Sequence, residues 1–422
     1  MKLTHQWAFV ACVVTAAVLT SKPARAQTCK ALEVSPAMAI DTVINEPASF
    51  EWQGEWQQDD GICFPSKQSG AQLRAYLVVP KNIDTLRGPL PVVVISPGSS
   101  GIAFARYYLW SARDLAGHGY IALVVDPQGN GRSEIVGDPT RCGASGCPGV
   151  PAQNAFNYVD ALQSATDFVF TRGHPWLQKA DLTKIGLAGH SLSSRAANYL
   201  QGVDDRIDAV VAWDNLASTL EGDVGTPSGG GSCGQLIGGQ IPGASIPVTP
   251  RVPTMGQASD AIGTCNPTNS DPDIKKAGYF HWRQAGVPSM QVVFLGSAHG
   301  DWAQSRNSVE LQLQSFEYYT RNWFDLYLKG DQSAAARLLA TEVLGQKLEQ
   351  VMSANFRSAA FVPAAKADCD DLLSVVCKFK VPAGGGGTLP LGLGVGTGGS
   401  GALNLWLLIV FSSISLLRRK TA

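Results

Sequence analysis

Charged side chains are scarce in this chain of 422 residues: 16% are Asp, Glu, Lys or Arg, where a usual fraction is about 25%. Disordered segments and nucleic-acid-binding arms are rich in charge, so this scarcity argues against both for most of the chain. The body, residues 27–382, holds 27 basic and 34 acidic residues, because the two end segments contain six basic residues and no acidic one. This acidic balance argues against a nucleic-acid partner.

Long hydrophobic runs are also lacking. The N-terminal apolar run, residues 7–19, would cover only about 20 Å of a bilayer core of about 30 Å if it were helical. It follows Lys2 and precedes Ala24-Arg25-Ala26, the small-x-small pattern that signal peptidase accepts. Residues 1–26 are therefore predicted to be a signal peptide, so that signal peptidase is a partner and the body is exported across the inner membrane.

A Cys-x-x-Cys pair with a matching His is absent, which argues against a zinc site. Removal of the signal would take Cys12 and leave eight cysteines, an even number typical of an oxidising compartment. Sequence alone does not choose among their pairings. The nearest-neighbour hypothesis pairs Cys29 with Cys63, Cys142 with Cys147, Cys233 with Cys265 and Cys369 with Cys377.

The C-terminus has little that could form a core. Residues 384–401 contain ten glycines, which predicts a linker over 383–401. Sixteen uncharged residues, 402–417, and then Arg418-Arg419-Lys420 follow, and the basic end would stay on the cytoplasmic side. This order resembles the Gly-Gly type of C-terminal sorting signal, which implies processing by a rhomboid-family sorting protease near Gly399. A permanent membrane anchor at 402–422 is the alternative.

Between these ends, short apolar runs alternate with amphipathic stretches, which predicts an α/β fold with a doubly wound, mostly parallel sheet over residues 71–330. Residues 71–80 alternate in polarity, as an antiparallel edge strand does. Six buried central strands and intervening helices are predicted after it. The strands are at 91–96, 120–126, 184–189, 209–213, 252–256 and 290–295. Residues 216–250 depart from this rhythm and are predicted to be an insertion over the C-terminal edge of the sheet.

The strongest chemical signal is the string Gly-His-Ser-Leu-Ser at 189–193, directly after a predicted strand and before a helix. A sharp turn there would expose Ser191 at a helix N-terminus, where negative charge is favoured. Ser193 stands where the usual pattern has a second glycine. A helix-capping serine is the plain alternative, but the context favours a nucleophile.

A serine nucleophile needs a base, normally a histidine oriented by a carboxylate. Only His299 falls in a loop just after a late buried strand; His118, His174, His190 and His281 do not. Asp260, just beyond the strand at 252–256, is the preferred acid, and Asp214 is the second candidate. Asp271 and Asp273 are weaker candidates. Asp301, adjacent to His299, is predicted to be structural.

Two backbone N–H groups would then stabilise an oxyanion. One belongs to Leu192, the residue after the nucleophile. The other is predicted to be that of Ser99, in the small-residue loop at 96–101.

These motifs resemble the α/β-hydrolase superfamily, and within it secreted enzymes of the dienelactone-hydrolase and polyester-hydrolase kind. The resemblance rests on Pro97-Gly98, on Asp-Pro-Gln-Gly-Asn-Gly-Arg-Ser at 126–133, on the string at 189–193 and on Ala298-His299. It implies a Ser191 nucleophile, a His299 base and an acid after the penultimate strand, which fits Asp260, with neither cofactor nor metal.

The predicted function is therefore hydrolysis of carboxylic esters, small or polymeric, through an acyl-enzyme intermediate. A serine peptidase with the same residues is an alternative, because the motifs do not define the leaving group. A catalytically inactive binding module on the same scaffold is the alternative from another class, and Ser193 and the sorting tail motivate it.

Overall fold

The computed structural model of the protein describes residue 29 and residues 55–99, 104–134, 155–214, 216–220, 246–260, 272–303, 310–362 and 367–374. The predicted signal peptide, the linker, the C-terminal segment and residues 221–245 of the insertion lie outside the described residues. Asp271 also lies outside the described residues. The same holds for five cysteines of the predicted pairs, at positions 142, 147, 233, 265 and 377. Among the described residues, no helix is both long enough and apolar enough to cross a membrane.

The described residues form an α/β architecture around one large mixed sheet. Its strands are β1 (Trp56–Pro65), β2 (Gln72–Pro80), β3 (Leu90–Ser96), β4 (Ile121–Asp126), β5 (Ala180–His190), β6 (Ala209–Trp213), β7 (Thr254–Ser259), β8 (Ser289–Phe294), β11 (Ala359–Val362) and β12 (Ala367–Cys369), while β9 (Glu342–Val343) and β10 (Gln346–Lys347) pair separately. The helices are α1 (Leu109–Gly117), α2 (Ala155–Thr171), α3 (Leu192–Val203), α4 (Pro272–Gln284), α5 (Glu310–Tyr327) and α6 (Ser333–Leu338).

The strand order is β1-β2-β4-β3-β5-β6-β7-β8-β11-β12. The six strands β4, β3, β5, β6, β7 and β8 are parallel to one another. On each side of these six, two further strands follow, and each of them pairs antiparallel with the strand before it. The six predicted central strands are thereby confirmed. Strand β2 is antiparallel as predicted, but it is not at the edge, because β1 pairs with its outer side.

Alternating side chains of the central strands enter two apolar clusters, one on each face of the sheet. On one face, Val93 and Ile95 of β3 cluster with residues of α1 and α5. On the other face, Val92 and Val94 cluster with residues of α2 and α3. Both faces of β3 are therefore covered, which explains its continuous run of β-branched residues.

Gly186 shows how closely a helix approaches the sheet. A Cβ at this position would lie 2.7 Å from the ring of Phe324 on α5, so only glycine allows the observed packing.

The parallel strands bring the predicted site residues to one edge. Ser191 follows β5, Asp214 follows β6, Asp260 follows β7, His299 lies in the loop after β8, and Ser99 follows β3. Because these strands are parallel, their carboxyl ends share one rim of the sheet, where α/β proteins form their sites.

A disulfide joins Cys29 to Cys63 on β1, with a Cα–Cα distance of 5.9 Å. This pairing confirms one of the four nearest-neighbour pairs. Cys369 is also disulfide-bonded.

Replacing both Cys29 and Cys63 by Ala is expected to lower the free energy of unfolding by about 3 kcal/mol, because the bond closes a loop 34 residues long in the unfolded chain. Urea denaturation of the double variant and the unmodified protein measures this difference. Equal denaturation midpoints would contradict the stabilising role of the bond.

Candidate active site

Ser191 lies at a sharp turn between β5 and α3, with φ of 56° and ψ of −115°. Residues other than glycine avoid positive φ, and such a conformation costs on the order of 1–3 kcal/mol. The turn is held by the Ser191 N–H, which donates to the carbonyl of Trp213 at 3.0 Å. Gly189 is required before it, because a Cβ there would lie 2.5 Å from the carbonyl oxygen of Ser193. The strand–turn–helix context predicted from the sequence is therefore present.

Ser193 occupies the position where the usual pattern has a second glycine, and its hydroxyl is accommodated. The side chain is fully buried, and its Oγ donates to the loop after β3. Ser96 Oγ lies 2.8 Å away, and the carbonyl oxygen of Pro97 is the other contact. The hydroxyl that departs from the usual pattern thus ties this loop to the first turn of α3.

His299 makes contact with Ser191 through one ring nitrogen and with Asp214 through the other. The distance from His299 Nε2 to Ser191 Oγ is 3.1 Å, and His299 Nδ1 is hydrogen-bonded to Asp214 Oδ2. Three residues that are far apart in the chain therefore form a continuous hydrogen-bonded path. The His299 side chain is 31% exposed and that of Asp214 is fully buried, so the path runs from the surface inward.

The acid in contact with His299 is Asp214, the second candidate, and the prediction of Asp260 is corrected. Strand β7 extends to Ser259, three residues beyond the predicted end at 256. At its end, the N–H of Ser259 donates to Asp214 Oδ1 at 2.9 Å. The end of β7 therefore supports the carboxylate rather than supplying it, and Asp260 comes one residue later. Asp273 lies in the first turn of α4.

Asp214 is surrounded by donors. Its Oδ1 accepts hydrogen bonds from Lys275 Nζ and from the N–H of Ser259, and the hydroxyl of Ser259 is 3.2 Å from Oδ1 and 3.3 Å from Oδ2. Burial alone would raise the pKa of Asp214, but the charges and hydrogen bonds of Lys275 and His299 outweigh it. They hold the pKa of this carboxyl well below its usual range. Asp214 therefore remains ionised over the whole range in which a histidine titrates.

The loop that carries His299 is held by its neighbours. Trp302 is fully buried; its Nε1 donates to Gln257 Oε1 at 3.0 Å, and its carbonyl accepts from Trp110 Nε1 at 2.8 Å. Asp301 Oδ2 accepts the N–H of Ala298 at 2.7 Å, in agreement with the structural role predicted for Asp301. These contacts fix the backbone on both sides of His299.

His190, within the turn itself, is fully buried, and through Tyr108 it connects this turn to the loop after β3. Burial lowers its pKa well below the usual value and the nearby His299 lowers it further, so the ring is neutral at pH 7. Its Nδ1 is 2.7 Å from the hydroxyl of Tyr108, and the same hydroxyl accepts the N–H of Gly98 at 3.1 Å. Since the Tyr108 oxygen accepts from Gly98, its proton is available for Nδ1 of His190.

The two predicted oxyanion donors lie on the segments that these contacts hold. Leu192 begins α3, so its N–H is one of those that have no partner within the helix. Ser99 follows Gly98, which Tyr108 holds, and its side chain interacts with Tyr158. Neither N–H has a hydrogen-bond acceptor among the described residues.

The remaining histidines of the described residues lie elsewhere. His118 bonds the carbonyl of Asp114 at 2.7 Å, His174 contacts Asp59 at 3.2 Å, and His281 bonds the carbonyl of Val248 at 2.7 Å. Each one is engaged in a local contact outside the path from Ser191 to Asp214.

Ligand atoms of His190, Asp214 and His299 lie within 4.8 Å of one another, a spacing that a metal ion could bridge. Most of these ligand atoms are, however, committed to other contacts, whereas Nε2 of His190 has no hydrogen-bond partner among the described residues. Asp214 accepts the Lys275 ammonium and His299 Nδ1, and Tyr108 is bonded to Nδ1 of His190. The charge of Asp214 is thus already balanced by a cation of the protein, and this arrangement suits proton transfer better than metal ligation.

Sequence reasoning missed Lys275, Ser259 and Tyr108. A lysine in an amphipathic helix is normally solvent-exposed, and a serine or tyrosine in a buried strand or helix is normally a packing residue. Their roles depend on contacts between residues distant in the chain, and no local pattern marks them.

No protein-family model matches the chain, and no curated protein sequence is significantly similar to it.

Replacing Ser193 by Ala is expected to lower the free energy of unfolding by about 1–3 kcal/mol, because the buried Ser96 hydroxyl and Pro97 carbonyl lose a hydrogen-bonding partner. Urea denaturation measures the change, with Thr183→Ala, at an exposed hydroxyl, as the control. Equal losses in the two variants would contradict the tie between the loop and α3.

Proposed function

We propose that the protein is a serine hydrolase of carboxylic esters, with Ser191 as nucleophile, His299 as general base and Asp214 as the acid that orients it. The observation that carries this proposal is the hydrogen-bonded path from Ser191 Oγ through both nitrogens of His299 to the buried Asp214. The positive φ of Ser191 supports it, because a strained nucleophile turn is a feature of α/β-hydrolases. The proposal includes a doubly wound α/β-hydrolase fold, which the helices on both faces of the sheet support.

In the first half of the reaction, Ser191 Oγ attacks the ester carbonyl carbon while its proton passes to His299 Nε2. The carbonyl π electrons move to oxygen, which becomes the oxyanion of a tetrahedral intermediate. Asp214 stabilises the imidazolium that forms and keeps Nδ1 protonated. The intermediate collapses, the bond to the alcohol oxygen breaks, and His299 gives its proton to that oxygen.

In the second half, a water molecule takes the place of the alcohol. His299 Nε2 removes a proton from it as it attacks the acyl carbon, and the second tetrahedral intermediate expels Ser191 Oγ, which recovers the proton. The products are the carboxylic acid and the alcohol, and the enzyme is regenerated. In both steps the N–H groups of Leu192 and Ser99 would donate to the oxyanion, and each such donor is typically worth about 3 kcal/mol.

The substrate is proposed to be an ester, small or polymeric. A peptide would require the same residues, and the path itself does not distinguish the two leaving groups. An inactive binding module was suggested in part by Ser193, but that hydroxyl has its own acceptors at Ser96 and Pro97, so it leaves the nucleophile turn intact. The departure from the usual pattern therefore gives no support to loss of activity.

The proposal also places the protein outside the cytoplasm, where a signal peptide at 1–26 would direct it and a C-terminal sorting protease would process it. The disulfide between Cys29 and Cys63 supports this, because such bonds persist in oxidising compartments. The intact mass of the mature protein tests both cleavages.

Replacing Ser191 by Ala is expected to reduce kcat for 4-nitrophenyl acetate by at least ~10⁴-fold, because the serine ester of the acyl-enzyme intermediate can no longer form. Hydrolysis is followed by release of 4-nitrophenolate, and near-ultraviolet circular dichroism checks the fold. A folded variant with unchanged kcat would reject Ser191 as the nucleophile.

The two candidate acids give opposite expectations. Asp214→Asn should lower kcat by ~10⁴-fold, because the amide favours the wrong tautomer of His299. Asp260→Asn should change kcat less than about threefold, since a half-exposed carboxylate outside the path does not affect it. Measured side by side with 4-nitrophenyl acetate, a larger loss in Asp260→Asn would restore the acid expected from the sequence.

A further inference from the structure

Lys275, on α4, is the most unusual residue near the path. Its side chain is 1% exposed, whereas lysines are almost never fully buried unless they are paired. Its Nζ contacts Asp214 Oδ1 and lies 3.1 Å from Ser259 Oγ. The lysine therefore binds the one carboxylate oxygen that His299 leaves free.

The Lys275 ammonium fixes the carboxylate in place. Asp214 Oδ2 is bonded to His299, while Oδ1 accepts from Lys275 and from the N–H of Ser259. Donors on three different elements thus determine the plane of the carboxylate. The orientation of the carboxylate in turn fixes the orientation of the His299 ring, because Nδ1 of the ring is hydrogen-bonded to Oδ2.

The ammonium also changes the charge balance. With Asp214 ionised and His299 neutral, Lys275 and Asp214 together carry no net charge. In the tetrahedral intermediate of the proposed reaction, the oxyanion would balance the charge of the His299 imidazolium.

The positive charge of Lys275 also acts on a group beyond Asp214. It contributes to the lowered pKa of His190, whose ring centroid is 4.8 Å from that of His299.

We propose that Lys275 is a positioning residue of the proposed serine hydrolase: it fixes the Asp214 carboxylate in the orientation in which Oδ2 meets Nδ1 of His299. This inference rests on the proposed function, and it adds to that function a residue that acts on the base through the acid.

The test is a comparison of kcat and KM for 4-nitrophenyl acetate. In Lys275→Met, kcat is expected to fall roughly tenfold with KM unchanged, because the base loses its orientation while substrate binding is untouched. Lys276→Met, which removes the same charge from the adjacent, half-buried position on α4, is the matched control and should leave kcat unchanged.

Lys275→Gln is the second variant, because its amide can still donate to Asp214 Oδ1 while the charge is gone. It should retain more of kcat than Lys275→Met, because Asp214 Oδ1 still has a side-chain donor at this position. If Lys275→Met does not fold, the kcat of Lys275→Gln relative to the unmodified protein carries the test alone.

An unchanged kcat in a folded variant without Lys275, or a rise in KM that accounts for the whole loss of kcat/KM, would overturn the inference. That result leaves the proposed function standing as long as hydrolysis still requires Ser191. Absence of Ser191-dependent hydrolysis in the unmodified protein would instead reject the proposed function itself.

Discussion

The buried carboxylate of Asp214 is the interaction on which the arrangement of this site depends. It receives hydrogen bonds from the loop after β8, from the end of β7 and from α4, so it connects three elements at one edge of the sheet. A buried carboxylate without these donors would be costly, and its surroundings therefore have to assemble together with it. His299 is placed by this assembly, and its second nitrogen then faces Ser191.

A second set of contacts orients the nucleophile side. The strained backbone of Ser191 is held by Trp213, the residue before Asp214, so the turn after β5 and the acid after β6 share one connection. Ser193 and Tyr108 both hold the loop after β3, through Pro97 and Gly98. The groups that would bind an oxyanion are thereby positioned by the same contacts that shape the nucleophile turn, which is the pre-organisation that acyl transfer requires.

The six parallel strands, Ser191 and His299 could be predicted from the sequence because each has a local signal: a β-branched run, a small-residue turn, or a loop after a late strand. The acid could not, because Asp214 and Asp260 both follow buried strands and only contacts across the sheet distinguish them. The predicted end of β7 lies three residues before the observed end, and this error favoured Asp260 as the acid. Lys275 had no local signal at all, since its burial is produced by a carboxylate 61 residues away in the chain.

The most direct measurement of the central claim is the site of covalent modification by a fluorophosphonate, mapped by tandem mass spectrometry of the digested protein at neutral pH. A nucleophile activated by His299 and Asp214 should give one adduct per chain, on Ser191, and denatured protein should give none. Absence of modification in the folded protein, or modification of a different residue, would contradict the account.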